Sequence, residues 1–325
     1  MTTDRAAAQL PTTLVVGSRG LVGEALQELL AGRCEELRCV RATTARESEG
    51  LEALLDGAAP PRLAFLAVDE VTAARIAPLL VDAGALVLDL SRAHRLDPRV
   101  PLAVAGHRSA AGLPDRGLVA LPNCTNPALA LVLDALGTAG GGLDRVRVHT
   151  VQSASGGGRR LLESLRDPEA PLYADVLPAI GALDVHGRSE EEAAVEEELR
   201  RLLGLPGLDL AASCLRVPTA VGHGMTVEVR CRQCLTPEAA REALAAVPSI
   251  RLEEAAPTPR HVAGRDTVHV GRLRALDAER PEAGLMLWVV ADNLRQGAAT
   301  NAVATAEALL DRAAAAPRPE PEGDP

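Results

Sequence analysis

Thr12-Thr-Leu-Val-Val-Gly17 is a short apolar, β-branched run that ends in glycine, and Leu21 to Leu30 continues it with Leu, Val and Ala at helical spacing. The two are joined by Gly17-Ser-Arg-Gly20-Leu-Val-Gly23, a G-x-x-G-x-x-G turn. A strand that passes through glycines directly into a helix opens an α/β layer. The bare backbone N–H groups at the helix start can then cradle a pyrophosphate. Gly17, Arg19, Gly20, Leu21, Val22 and Gly23 are therefore candidate dinucleotide ligands.

Further apolar runs at Leu37 to Val40, Leu63 to Val68, Ala85 to Leu90 and Leu118 to Leu121 alternate with helical stretches such as Glu70 to Ala83. That alternation predicts a doubly wound parallel sheet of Rossmann type. After the second strand, Thr43, Thr44 and Arg46 offer hydroxyls and a guanidinium where an adenosine ribose would sit. No acid of the kind that favours NAD is there, and the expected cofactor is NADP.

Beyond Cys124 the pattern changes. Arg145 to Val151, Leu215 to Val217, Thr226 to Cys231 and Leu285 to Ala291 read as strands of a mixed or antiparallel sheet in a second, α+β domain. Ser189 to Leu203 carries acids early and arginines late, as the helix dipole favours, with Ser189 as N-cap. Ala298 to Ala313 reads as a helix packing back on the first domain. The expected division is residues 1–123 with 297–325 as a cofactor-binding domain, its tail 314–325 disordered, and 124–296 as a catalytic and dimerisation domain.

Composition excludes several classes. A net charge of −10 over 325 residues argues against a nucleic-acid partner. Met1 to Gln9 has no apolar core of a signal peptide, and no run approaches the roughly 18 apolar residues of a membrane span, so a cytoplasmic protein is expected. Six scattered cysteines then read as reduced thiols. All side-chain cations are Arg or His, because the chain contains no lysine, which rules out lysine nucleophiles and a Walker-type phosphate lysine.

Cys124 lies between an apolar strand and the helical run Pro127 to Leu136, a position that lowers a thiol pKa. His223 is a candidate acid/base partner, a role that needs a pKa near the working pH. Gln152 to Gly158 closes a strand and then exposes backbone to an approaching ligand, with Ser155 and Gly156 as candidate cofactor contacts. Cys231-Arg-Gln-Cys234 is half a zinc motif with no second half, and no metal site is expected.

Leu121-Pro-Asn-Cys-Thr125, Gln152 to Gly158, Cys214-Leu-Arg-Val-Pro218 with Gly222-His223, Pro257-Thr-Pro259 with Ala263-Gly-Arg-Asp266, and Leu287 to Arg295 with Gly297-Ala-Ala299 stand in an order and spacing that resembles the aspartate-β-semialdehyde dehydrogenases, from Thr13 to Leu310. The resemblance implies reductive dephosphorylation of β-aspartyl phosphate by NADPH, in a homodimer, on the route to lysine, methionine and threonine. It implies Cys124 as nucleophile, His223 as acid/base and Gln152 as the residue orienting the acyl group. Arg216 would hold the substrate α-carboxylate and Glu191 its α-amino group. Arg95 and Asn123 would hold phosphate, and Asn293 would lie near the nicotinamide.

The chain departs from that pattern at Ala194, where the family has a lysine, and at Leu90, Leu121, Val68 or Asp69, and Ala105-Gly-His-Arg108. Loss of one charge-assisted hydrogen bond to phosphate is worth about 1.5–3 kcal/mol, roughly 10- to 100-fold. Arg92 or Arg108 is expected to replace it. Two alternatives stand beside this reading. One is an enzyme like N-acetyl-γ-glutamyl-phosphate reductase, which would not need Glu191. The other is a diverged paralogue acting as a partner protein, which the joint presence of Cys124, Gln152, Arg216 and His223 opposes.

Overall fold

The computed structural model describes residues 10–40 and 60–315. Thr43, Thr44 and Arg46 lie outside them, as do Met1 to Gln9 and the chain beyond Ala315.

β1 (Thr13–Val16), β2 (Leu37–Val40), β3 (Leu63–Leu66), β4 (Leu86–Asp89) and β5 (Gly117–Ala120) form one sheet in the order β2-β1-β3-β4-β5. Every neighbouring pair is parallel. β1, β3 and β4 are buried on both faces, which is why they read as unbroken apolar runs. α1 (Leu21–Leu30) packs on one face and α2 (Glu70–Asp82), capped by the Asp69 side chain on the Thr72 N–H at 3.0 Å, on the other. The strand order reverses between β1 and β3, and in such sheets ligands bind at the carboxyl ends beside that reversal.

The second sheet has the order β7-β6-β8-β11-β10-β9, from β6 (Leu143–Gln152), β7 (Asp209–Arg216), β8 (His223–Cys231), β9 (Ile250–Leu252), β10 (Val268–Ala275) and β11 (Leu285–Ala291). Only β6–β7 and β9–β10 are parallel, so the sheet is mixed. One face is covered by α3 (Asn126–Ala139), α5 (Glu190–Leu203) and α6 (Pro237–Ala245), with α4 (Arg159–Ser164) and α7 (Pro259–Val262) at its margins. α3 is buried from Ala128 to Leu133 because it is overlain by α5 and α6 as well as the sheet.

α5 begins with a capping box. The Ser189 hydroxyl accepts the Glu192 N–H at 3.3 Å, and the Glu192 carboxylate accepts the Ser189 N–H at 2.8 Å. Such a cap contributes about 1 kcal/mol and fixes the helix register. α8 (Thr300–Ala315) returns to the first sheet, where Ala302, Val303, Ala306 and Leu309 pack with Leu10, Val15 and Leu26. It extends to Ala315, two residues into the stretch expected to be a disordered tail. Among the described residues no helix is long and apolar enough to cross a membrane.

Four elements differ from the sequence reading. β7 starts at Asp209 rather than Leu215, because pairing with β6 from Arg145 onwards overrides the poor strand propensity of Asp209-Leu-Ala-Ala-Ser213. β10 was not foreseen: His269 and Gly271 interrupt its apolar pattern, yet both are buried against β11. α6 and β9 are likewise additions, short elements held by Leu244 and Ile250 in the common core.

Candidate active site

Both sheets deliver chain ends to one cleft. β5 leads through Leu121, Pro122 and Asn123 to Cys124, just ahead of α3. Gln152 and Arg216 end β6 and β7 and are register partners in that parallel pair, so the two side chains reach the same edge. His223 opens β8, and α5 lays Glu191 across the gap. The resulting cavity of about 260 Å³ is lined by Cys124, Asn123, Gln152, Glu191, Arg216 and Arg95, and on the first domain's side by Val22, Leu90 and Arg92. Ser155, Gly156, Asn293 and Gly297 complete it.

Cys124 Sγ lies 3.3 Å from His223 Nε2. The Ser153 N–H donates to His223 Nδ1 at 3.1 Å, which makes Nδ1 an acceptor and leaves the ring proton on Nε2, facing sulfur. Burial, then the Arg216 charge, pushes the imidazole down to about 3, so it is neutral near pH 7. Burial and the Glu191 carboxylate push the Cys124 thiol up to about 12 against the pull of Arg216 and Arg95. Two sequence expectations are therefore corrected. The start of α3 does not lower the resting thiol pKa, because desolvation outweighs it, and His223 does not titrate near neutrality.

Glu191 Oε1 accepts from Gln152 Nε2 at 2.8 Å and from Asn123 Nδ2 at 3.0 Å. Arg216 Nη1 donates to the Ser153 carbonyl at 3.0 Å and to Gln152 Oε1 at 3.4 Å. Gly156 allows this crowding: a Cβ there would stand 2.6 Å from Arg216 Nη1 and 3.1 Å from the His223 ring. Sequence reasoning missed Glu198, two helical turns along α5 from Glu191 on the same face. Its carboxylate accepts from the Asn123 N–H at 2.6 Å, Asn126 Nδ2 at 2.9 Å and Arg95 Nη1 at 3.2 Å. No sequence pattern marks it, because Glu190 and Glu197 share the same i, i+7 spacing without being buried.

Towards the first domain, Gly17 adopts φ +87°, and a Cβ on it would strike the Ala67 carbonyl. Gly20 caps α1 without any side-chain hydrogen bond, so the first N–H groups of the helix have no side-chain partner at the cap. That is a fitting cradle for a phosphate-bearing cofactor. Val22 alone of the turn residues reaches the cleft. Arg19 is exposed, and its carbonyl accepts from Arg159 Nη2 at 3.2 Å, a contact between the glycine-rich segment of the second domain and the turn of the first. Asn293 Oδ1 accepts from the Gly222 N–H at 2.9 Å and the Ser153 hydroxyl at 3.0 Å, and its Nδ2 donates to Ser155 Oγ at 3.0 Å. It therefore ties three loops together at the cleft wall.

Of the two arginines expected to replace the missing lysine charge, Arg92 lines the cleft, 3.3 Å from Glu190. Arg108 does not: it pairs with Asp134 at 2.8 Å and donates to the Leu203 carbonyl at the end of α5. Ala194 leaves its carbonyl beside Asn126 Nδ2, at 3.4 Å. Cys231 donates to the Leu136 carbonyl and Cys234 is exposed, both away from the cleft.

Residues 12–111 match the family model described as semialdehyde dehydrogenase, NAD binding domain, and residues 133–296 match semialdehyde dehydrogenase, dimerisation domain. An aspartate-semialdehyde dehydrogenase of Prochlorococcus marinus is 33% identical over 346 residues, covering 96% of this chain and all of that protein. One from Corynebacterium melassecola is 32% identical over 345 residues, with 93% and 100% covered. Among solved structures, aspartate semialdehyde dehydrogenase II from Vibrio cholerae superposes with a TM-score of 0.83 at 27% identity, covering 93% of this chain and 99% of its own. With the parallel and mixed sheets, the cysteine–histidine pair and these matches in agreement, the chain belongs to the aspartate-semialdehyde dehydrogenase family.

Proposed function

We propose that the protein reductively dephosphorylates β-aspartyl phosphate to aspartate-β-semialdehyde, reversibly, with NADPH and through a thioester on Cys124. The observation that carries this reading is Cys124 Sγ 3.3 Å from His223 Nε2, in a cleft whose far wall presents Arg216 and Glu191 together. A substrate with both a carboxylate and an ammonium on one carbon matches that pair of opposite charges. Glu191 Oε2 has no hydrogen-bond partner among the described residues and is the oxygen left for the ammonium. An N-acylated substrate would leave it unmatched, which disfavours the acetylglutamyl reading.

The chemistry then follows from the chain's own groups. An α-ammonium at Glu191 neutralises the charge that, after burial, most opposes the Cys124 thiolate. The Cys124 proton leaves on the departing phosphate as sulfur attacks the acyl carbon, and His223, with its own proton on Nε2, donates a hydrogen bond to the sulfur and later to the oxygen that becomes negative at that carbon. Gln152 holds Glu191 and Arg216 in one plane of contacts and so sets the angle at which the acyl group meets sulfur. Arg95, Asn123 and Arg92 receive the departing phosphate, whose charge suits guanidinium. When bound, the nicotinamide cofactor supplies the hydride that takes the acyl group to the aldehyde. The residues that would hold it are the uncapped turn Gly17 to Gly23 with Ser155, Gly156 and Asn293, while Thr43, Thr44 and Arg46, which by their chemistry suit the ribose side, lie outside the described residues. The preference for NADP rests on the chemistry of those last three.

On this reading the cofactor domain comprises residues 1–123 with 297–325, and residues 124–296 carry catalysis and dimerisation. The face of the second sheet opposite α3, α5 and α6 carries Arg147, His149, Glu228 and Trp288, and we assign it to contact with a second copy. The test is phosphate-dependent NADP reduction with aspartate-β-semialdehyde. Wild type should turn over and Cys124→Ala should not. Equal rates in both would remove the thioester on Cys124, and activity that does not require phosphate would remove the acyl phosphate as the reaction partner.

A further inference from the structure

Away from the cleft, Glu253, His261 and His269 bring one carboxylate oxygen and two ring nitrogens within 4.8 Å of one another. Each comes from a separately anchored piece of chain. Glu253 follows β9, with its N–H on the Val270 carbonyl at 2.8 Å. His269 is the second residue of β10 and is 3% exposed. His261 lies in α7, where its N–H is capped by Thr258 Oγ1 at 3.3 Å. The segment bearing α7 is pinned at both ends, by Trp288 Nε1 on the Pro257 carbonyl at 2.7 Å and by the Gly264 N–H on Asp292 Oδ2 at 2.7 Å.

His269 Nδ1 already meets Glu253 Oε1 at 2.6 Å, and the two imidazoles stand edge to face with centroids 5.8 Å apart. A carboxylate–histidine pair explains Glu253 and His269. It does not explain a second imidazole brought against them from another element. We propose that Glu253, His261 and His269 form a binding site for a divalent transition-metal cation, Zn²⁺ foremost, with water completing the coordination.

The donor set suits that class. Two imidazoles and one carboxylate are borderline ligands that favour Zn²⁺, Co²⁺ or Ni²⁺ over Mg²⁺ and Ca²⁺, which take oxygen shells. Zinc bonds of about 2.0–2.1 Å place tetrahedral donors about 3.3 Å apart. The Glu253–His269 contact opens slightly to reach that spacing, and rotation of the exposed His261 side chain closes the third side. Successive ligands are eight residues apart, so no short zinc motif marks them in the sequence. The cation would clip α7 to β10. Because Pro259 packs against Gly222, beside His223, that clip stiffens the wall behind the cleft without entering it.

The full chain is titrated with Co²⁺ and then Zn²⁺, alongside His261→Ala, whose exposed position leaves folding intact, and Glu253→Gln. Expected are one Co²⁺ per chain with a visible d–d band and no sulfur-to-metal band in the near ultraviolet, and displacement by Zn²⁺. Affinity should fall about 10-fold or more in each variant, and Zn²⁺ should raise the unfolding midpoint of wild type but not of His261→Ala. Sulfur-to-metal absorption, which marks binding at Cys124 or Cys231/Cys234 instead, would overturn the site. Absence of a band, or the same affinity in wild type and His261→Ala, would do so equally.

Discussion

Replacing Glu198 by glutamine keeps the side-chain shape and removes its charge from a position that is 2% exposed. One oxygen now faces Arg95 Nη1 and the other faces the Asn123 N–H and the Asn126 amide. All three neighbours are donors, so the NH₂ of glutamine must turn towards at least one of them. Each charge-assisted bond is worth about 1.5–3 kcal/mol, but the three share one carboxylate and do not add. Removing one member of a buried ion pair costs about 3–5 kcal/mol, mostly from the charge left behind, and that is the loss expected in urea denaturation. The Arg95→Met/Glu198→Leu pair isolates the cause. Both charges leave together, so the double variant should be at least as stable as Glu198→Leu alone, with about 1–3 kcal/mol still lost for each unpaired Asn123 and Asn126 donor. Strict additivity of the two single effects, or a loss below about 1 kcal/mol for Glu198→Gln, would refute the argument that this carboxylate holds Arg95 and Asn123 in place at the cleft.

Gly156→Ala sets a methyl 2.6 Å from Arg216 Nη1, and displacing that guanidinium together with the His223 ring should lower kcat about 100-fold in steady-state assays. Arg92→Ala should raise the KM for phosphate in the reverse reaction by about 10-fold at most, the lower end of a charge-assisted bond because the side chain is half exposed, with kcat little changed. As pH falls from 6.5 towards 3, the unfolded chain protonates His223 while the folded one resists. Stability should then drop by up to about 1.4 kcal/mol per pH unit in denaturation midpoints, and His223→Gln should flatten that slope. As pH rises from 9 towards 12, unfolded thiols ionise where folded Cys124 and Cys214 do not, so stability should also fall there, while alkylation of Cys124 by iodoacetamide accelerates.

The first sheet was legible because its central strands β1, β3 and β4 are buried on both faces and carry an apolar signature, as in Leu63 to Leu66 and Leu86 to Leu88. β10 and the stretch of β7 from Asp209 to Cys214 were not. Asp209, Ser213, His269 and Gly271 are held in strands by partners that lie far away in sequence. The cleft followed the same rule. Residues at element ends, such as Cys124, Gln152, Arg216 and His223, announced themselves through motifs. Their protonation did not, because it depends on burial and on the Ser153 N–H at Nδ1, neither of which a motif encodes. Glu198 was hidden for a related reason: within Glu190 to Leu203 it is one of six glutamates, and only packing distinguishes a buried acid from a solvated one.

The return of α8 to the first sheet has a consequence for how the protein is made. Leu10, Val15 and Leu26 share a core with Ala302, Val303 and Leu309, so the nucleotide-binding layer is sewn from residues that are translated before and after the whole second sheet. The second layer lies wholly between them and can consolidate during synthesis, whereas the strands of the first sheet must wait, with an apolar face open, until α8 emerges. Order of translation and order of completion of the two layers are thus inverted, and in the interval between them the first sheet presents uncovered apolar surface.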